Sequence, residues 1–209
     1  LEALIARLPD LALIAGGLSI AIDIAAERDW AAIAVYGLRE DDHGHAQIVY
    51  YGPPERLVQR LVKFRDALNP VGVGMARGTY ASLKEELKVA GFKRPEDRPP
   101  AKVVEGENRY PPQRGDLMVL GGVDMAAACG QVIDAVKQGT LRYVPSEPLT
   151  TAVGVARTRK VGDVVVWSRG ADKAVDITGL VTVTEARHVF YARADVAKAD
   201  DYDPVADIL

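Results

Sequence analysis

From Leu18 the chain alternates: Leu18, Ile20, Ile22 and Ile24 fall on one parity, and Ser19, Ala21, Asp23 and Ala25 on the other. A period of two predicts a strand with one face in a core. It also sets the carboxylate of Asp23 among small side chains on the opposite face. A charged connector, Glu27-Arg28-Asp29, leads into a second β-rich run from Trp30 to Leu38. The polar stretch Glu40 to Gly44 is a turn by composition, and Gln47 to Tyr51 supplies a third strand. Short strands joined by tight connections predict an antiparallel meander.

The period then changes. Pro53-Pro54 opens a helix in which Leu57, Leu61, Phe64 and Leu68 recur every three or four residues, and Asn69-Pro70 stops it. Val71 to Met75 reads as a short strand. A second helix starts near Gly78-Thr79, turns Leu83 and Leu87 inward and closes at Gly91. Lys93 to Gly115, with Pro95, Pro99, Pro100, Pro111 and Pro112 among many charges, reads as a long loop.

Asp116 to Leu120 resumes as a strand. Asp124 then caps a helix that lines up Cys129, Val132, Ile133 and Val136 and ends before Gly139. Leu141 to Val144 is a brief extended segment. Pro148 to Arg159 reads as a helix with Leu149, Val153 and Ala156 inward and with Arg157, Arg159 and Lys160 at its C-terminal end. Gly162-Asp163 turns into a strand, Val164 to Trp167. A loop from Ser168 to Val175 carries Arg169 and Lys173, and Asp176 opens a last helix, Ile177 to Ala192. This order predicts an α/β fold, a mixed sheet flanked by helices. It divides the chain into a lead-in (1–17), one domain (18–193, with the 93–115 loop) and a flexible acidic tail (194–209).

Composition narrows the chemistry. Of 209 residues, 48% are hydrophobic and 26% charged, enough for one globular core. A formal net charge of −3 excludes a histone-like nucleic-acid binder and leaves room for a local basic groove. Cys129 stands alone, which excludes an internal disulfide framework and a cysteine-cluster zinc site; it reads as a small core residue. His43, His45 and His188 are too scattered for a histidine metal cage, and the turn around Gly44 predicts solvent exposure for the first pair. No apolar stretch is long enough to cross a bilayer, so an intracellular setting is expected. The missing initial Met suggests a piece of a longer protein. There is no GxxxxGK[ST] and no GxGxxG, which excludes a P-loop and weakens a dinucleotide reading.

What remains is carboxylate chemistry. A lone acid inside an apolar strand is costly unless a metal, a base or a hydrogen-bond network engages it. Asp23 therefore stands out, although a strand-end carboxylate also serves simply to accept backbone hydrogen bonds. Asp176 sits where Asp is among the best helix caps, and Asp163 where Gly-Asp is ordinary turn chemistry. Hard ions such as Mg²⁺ or Mn²⁺ want oxygen ligands, and a pair of them clamps both oxygens of a phosphodiester displacement. The cations Arg157, Arg159, Lys160, Arg169 and Lys173 flank Asp163 and Asp176 in sequence. They are candidates for a DNA backbone groove, or for the common enrichment of Lys and Arg at helix C-termini.

The blocks AIDIAAERDWAAIAV and PLTTAVGVARTRKVGDVVVWSRGADKAVDITGLVTVTEA, with VGVGMARGTYASLKEEL and DMAAACGQVIDAV between them, resemble the nuclease domain of phage large terminase subunits. The resemblance runs from Leu18 to Ala192 and rests on the order of blocks. It implies an RNase H-like fold and a Mg²⁺- or Mn²⁺-dependent endonuclease that cuts concatemeric viral DNA by a two-ion mechanism. Its metal and catalytic acids fall on Asp23 and Asp176, with Asp163 a weaker metal candidate. It further implies double-stranded DNA as substrate, and an N-terminal ATPase domain, a small terminase subunit and a portal as partners. The setting would be the cytoplasm of an infected bacterial host. The family's second acid aligns with Met75, whose thioether is a poor ligand for Mg²⁺. Either Asp163, Asp124 or Asp29 completes the site, or the register differs, or the metal binds weakly. A catalytically degenerate domain acting in DNA binding or motor assembly is the alternative. An actin-like kinase domain would need glycine-rich phosphate loops that the chain lacks.

Overall fold

In the computed structural model the described residues are 9–102, 106, 108–169 and 176–198. The expected meander is present. β1 (Ile14–Ile24), β2 (Ala31–Arg39) and β3 (Gly44–Gly52) pair antiparallel in sequence order. β4 (Val73–Ala76) adds parallel to β1 on its free side, and β5 (Leu117–Leu120) adds parallel to β4. β6 (Leu141–Tyr143) pairs parallel with β3, giving a six-stranded mixed sheet in the order β5-β4-β1-β2-β3-β6. β1 begins at Ile14, inside the expected lead-in, and an irregularity at Gly16-Gly17 lets it pass into the register of Leu18 onward.

The alternation in β1 decides the two layers. Leu18, Ile20, Ile22 and Ile24 join Ile33, Val35, Val73 and Met75 in a core covered by α1 (Leu57–Leu68) and α2 (Arg77–Val89), through Leu57, Leu61, Phe64, Leu83 and Leu87. The other face carries Ala21, Ala34 and Ala46, and these small side chains let α5 (Thr178–Ala192) lie close upon the sheet. At Gly74 a Cβ would run into the Val189 side chain, and at Gly179 it would come within 2.8 Å of Ile48 Cδ1. α5 is therefore buried nearly all round, and its threonine hydroxyls bond back to its own carbonyls, Thr182 to Thr178 at 2.7 Å and Thr184 to Leu180 at 2.8 Å. α3 (Gly122–Lys137) and α4 (Glu147–Val155) complete this layer.

Several expectations are corrected. The helix expected to reach Arg159 ends at Val155, and Arg157, Arg159 and Lys160 lie on β7 (Arg157–Val161), which pairs antiparallel with β8 (Val164–Ser168) in a separate hairpin. The β-branched run Val164-Val165-Val166 provides a partner strand, and that pairing overrides helical spacing. Val153 is 52% exposed while Ala152 takes the buried place, and Val136 stands outside the core. Asp124 sits inside the first turn of α3 and accepts the Gly121 amide at 2.7 Å. His45 is buried on β3 rather than exposed in a turn.

The described residues of 93–115 include one short 3-10 helix, Pro95–Asp97, and side-chain and backbone contacts tie them to β5. Arg98 clamps the buried carboxylate of Asp116 with both terminal nitrogens, and the Leu117 amide donates to Lys93 O at 2.8 Å. Within the acidic tail, Ala194–Lys198 form a short α6, and 199–209 lie outside the described residues. Cys129 is a buried free thiol in α3, as expected of a core residue, and burial pushes its pKa up. No described helix is long and apolar enough to cross a membrane.

Candidate carboxylate centre

Asp23 occupies the last turn of the pleat before β1 ends, on the face beneath α5, and is almost fully buried. Thr79, in the first turn of α2, donates to its Oδ1 at 3.2 Å. The guanidinium of Arg169, one residue past β8, is ion-paired with its Oδ2. Burial pushes the Asp23 carboxyl above its ordinary range, with Arg169 and Thr79 opposing that shift.

A second carboxylate, which the sequence reading missed, lies beside this pair. Glu185, in the middle of α5, is completely buried, and neither of its oxygens has a hydrogen-bond partner among the described residues. Burial raises its pKa well above the usual range and repulsion by Asp23 adds to this, while Arg169 and the nearby backbone amide of Ala76 work against it. Arg169 in turn loses by burial, but the attraction of Asp23, Glu185 and Asp176 together holds it firmly protonated. The carboxylates thus converge on one guanidinium.

Asp176 stands at the edge of this group. It is not the expected cap, since Ile177 takes the N-cap position of α5 and Asp176 lies one residue before it; its Oδ1 accepts the Thr178 amide at 2.8 Å, and its Oδ2 accepts the hydroxyl of Tyr51. Tyr51 is aimed there by a bulge in β3 at Val49, which restores its register opposite Ala32, the partner of Asp23 in β2. Trp30 stacks on Tyr51 with ring centroids 5.3 Å apart. Burial and the bond to Asp176 push the Tyr51 phenol well up.

The other candidates are not brought in. Asp163 is exposed at the tip of the β7–β8 hairpin, five strand residues or roughly 16 Å of extended chain from Ser168. Asp124 is engaged at α3, and Asp29 is exposed in the β1–β2 connection. Met75 points into the α1–α2 core, so it is not the residue that faces the site; Ala76, the next position of β4, is. Arg157, Arg159 and Lys160 are exposed along β7. Lys173 lies outside the described residues.

Two cavities meet at Arg169 and Ala76. A smaller one of about 300 Å³ opens onto Asp23 between Arg28, Thr79 and Ser82. A larger one of about 1210 Å³ runs under the hairpin between Val123, Met125, Arg159 and Val164. The donor atoms of Asp23 and Glu185 are carboxyl oxygens, the kind a hard divalent ion takes, but only Asp23 lines a cavity. Among the described residues no three His, Cys, Asp or Glu side chains group closely enough to enclose such an ion, and Asp23 is engaged by Arg169.

No family model and no curated protein matches the chain. Among solved structures it is similar to the large terminase of bacteriophage HK97, with a TM-score of 0.59 and 10% identity over 84% of this chain and 40% of that one. A further match is the yeast mitochondrial Holliday junction resolvase Ydc2, with a TM-score of 0.44 and 12% identity over 93% of this chain and 88% of that one. At this identity the terminase likeness is one of fold, and the chain spans about 40% of the terminase's length. The α/β architecture is the RNase H-like mixed sheet anticipated from the order of blocks.

Proposed function

We propose that this chain is a DNA endonuclease domain whose Asp23 and Glu185 hold Mg²⁺ or Mn²⁺, with Asp176 beside them. The observation that carries the reading is the burial of two carboxyl groups, Asp23 on β1 and Glu185 on α5, within electrostatic reach of each other and of Arg169, with Asp23 lining a cavity open to solvent. A carboxyl group buried this deeply is held toward its neutral form, and such perturbed acids cluster where chemistry needs them. Bound divalent ions polarise a phosphoryl oxygen and acidify water, which is what phosphodiester hydrolysis requires.

The chain's own residues have distinct parts in this reading. Thr79 fixes one oxygen of Asp23, and Tyr51 fixes one of Asp176. Arg28, on the rim of the smaller cavity, and Arg157, Arg159 and Lys160 on β7 offer cations to the DNA backbone. The fold shared with a large terminase supports a place in phage DNA packaging, with concatemeric double-stranded DNA as substrate. An ATPase domain, a small terminase subunit and a portal would be the partners, and the host cytoplasm the setting.

The test is incubation with supercoiled plasmid and Mn²⁺, beside an EDTA control and the variants Asp23→Ala and Glu185→Gln. Metal-dependent nicking that both variants lose, with their circular dichroism unchanged, is expected. No cutting by the intact protein would overturn the nuclease reading. It would favour a DNA-binding or assembly domain, a reading supported by the small side chain of Ala76 facing the site on β4 and by the Arg169 pair.

A further inference from the structure

We propose that one face of α2 is a second track for DNA, holding the sugar-phosphate backbone of a duplex as it leaves the carboxylate centre. The inference takes DNA from the reading above and needs no metal ion. At roughly 100° per residue, Arg77, Tyr80, Lys84 and Lys88 fall within about 80° of arc around the helix, and Glu85 and Glu86 fall outside it. Leu83 and Leu87 hold the neighbouring arc in the core, which fixes the direction of the stripe. Lys93 and Arg94, beyond the helix, close a groove of about 360 Å³ against Lys84 and Lys88, floored by Tyr80 and Phe92.

The stripe carries surplus positive charge. Arg77, Lys84, Lys88 and Lys93 are exposed, and none of them makes an ion pair among the described residues. The carboxylates nearby are already engaged: Glu96 and Asp97 are ion-paired with Arg94, and Asp124, close to Arg77 at Gly121, accepts the Gly121 amide. Such a surface on a chain of formal net charge −3 fits a polyanion. The helix also gives these cations a fixed spacing. Arg77 to Lys88 spans about 16 Å of axis, over which one strand of a duplex presents roughly four phosphates. Arg77 follows Ala76, where the two cavities meet, so the stripe starts at the centre and runs away from it. Thr79, on the opposite flank of the same turn, is the donor to Asp23. One rigid helix thus ties the track to the carboxylate. An acidic protein needs neither that spacing nor that neighbour, which favours DNA.

Duplex binding by the full chain in EDTA, followed by fluorescence anisotropy of labelled DNA, tests this apart from any cutting. Lys84→Ala and Lys88→Ala should each reduce the slope of log affinity against log salt by about 1, for every duplex sequence alike. In the double variant the loss of affinity between about 50 and 200 mM salt should be roughly tenfold smaller than in the parent. Lys137→Ala, at the far end of α3, removes the same charge away from the stripe and should leave the slope unchanged. All three lysines are exposed, so folding is not at stake. Equal slopes for the parent and the double variant, or an equal fall in the Lys137 control, overturn the track and leave DNA binding intact. No duplex binding by the parent overturns both the track and the reading that supplies its DNA. If the double variant loses binding to polyglutamate and keeps its DNA salt slope, the face belongs to an acidic protein and the proposal falls.

Discussion

Ser19 Oγ donates to the carbonyl oxygen of Ala186 at 2.7 Å, joining β1 to α5 across 167 positions of sequence. Both groups are buried, and each is close in sequence to a carboxylate of the centre: Ser19 lies on the same face of β1 as Asp23, and Ala186 follows Glu185. This bond sets the height at which α5 rests on the strand. Ser19→Ala leaves the Ala186 carbonyl without that donor, and a loss of about 1–3 kcal/mol in urea unfolding is expected. If the bond also sets the spacing of the carboxylates, the variant binds Mn²⁺ more weakly than its stability loss explains.

The contact between α5 and β4 permits no side chain at Gly74. Gly74→Ala drives a methyl group into Val189 and should cost about 1–3 kcal/mol by the same measurement. Gly78 is the matched control, since a Cβ there meets nothing within 4 Å and the residue is helical. Gly78→Ala should be neutral or stabilising by up to about 1 kcal/mol.

His45 gives the fold a pH dependence. It is buried, neither ring nitrogen has a partner among the described residues, and burial with the nearby Arg39 lowers its pKa, Asp10 opposing weakly. The unfolded chain therefore takes up a proton on this residue at a higher pH than the folded one does. Its contribution to stability is complete above the ordinary histidine range and declines as pH falls through it. Unfolding free energies of the parent and of His45→Leu, measured from pH 7.5 to 5, should differ in slope, the parent falling more steeply; parallel lines would refute this. These pH values bracket the ordinary histidine pKa of about 6.5.

Glu185 separates stability from function. A glutamine keeps its shape and removes a charge that burial and Asp23 already disfavour. Glu185→Gln should melt no lower than the parent chain, while plasmid nicking falls by about 100-fold or more through loss of a ligand. Asp176→Asn should do less to activity and should cost about 1 kcal/mol or less, because an amide oxygen still accepts from Thr178.

The hairpin cations act on DNA as charges. Arg157→Ala and Lys160→Ala should weaken binding alike for all duplex sequences, and each should reduce the slope of log affinity against log salt by about 1. A salt slope unchanged by both would place the backbone contacts elsewhere.

Much of this was readable from the residues. The alternation from Leu18 to Ile24 fixed both the strand and the side on which Asp23 lies, because one face had to be buried. What failed depended on distant parts of the chain. Arg157 to Val161 became a strand through pairing with Val164 to Ser168, and His45 lies buried on β3 within reach of Arg39 and of Asp10 from the residues before β1. Met75 was judged by its place in sequence, whereas the pleat of β4 turns it away and presents Ala76. Glu185 was passed over because a glutamate in a helix is ordinarily solvated. Its neighbours Thr182, Thr184, Arg187 and His188 read as an ordinary polar face, so nothing in the local pattern pointed to its burial.

The β7–β8 hairpin has two unprotected flanks, since neither of its strands pairs with another described strand. Such a ribbon invites a neighbouring molecule to extend it by backbone pairing, the first step toward aggregation. Arg157, Arg159 and Lys160 put charge along one of those flanks, where the desolvation and mutual repulsion of stacked cations resist that addition. The same residues that would grip a DNA backbone therefore guard the protein's own solubility, and a chain stripped of all three would be expected to trade DNA affinity for self-association.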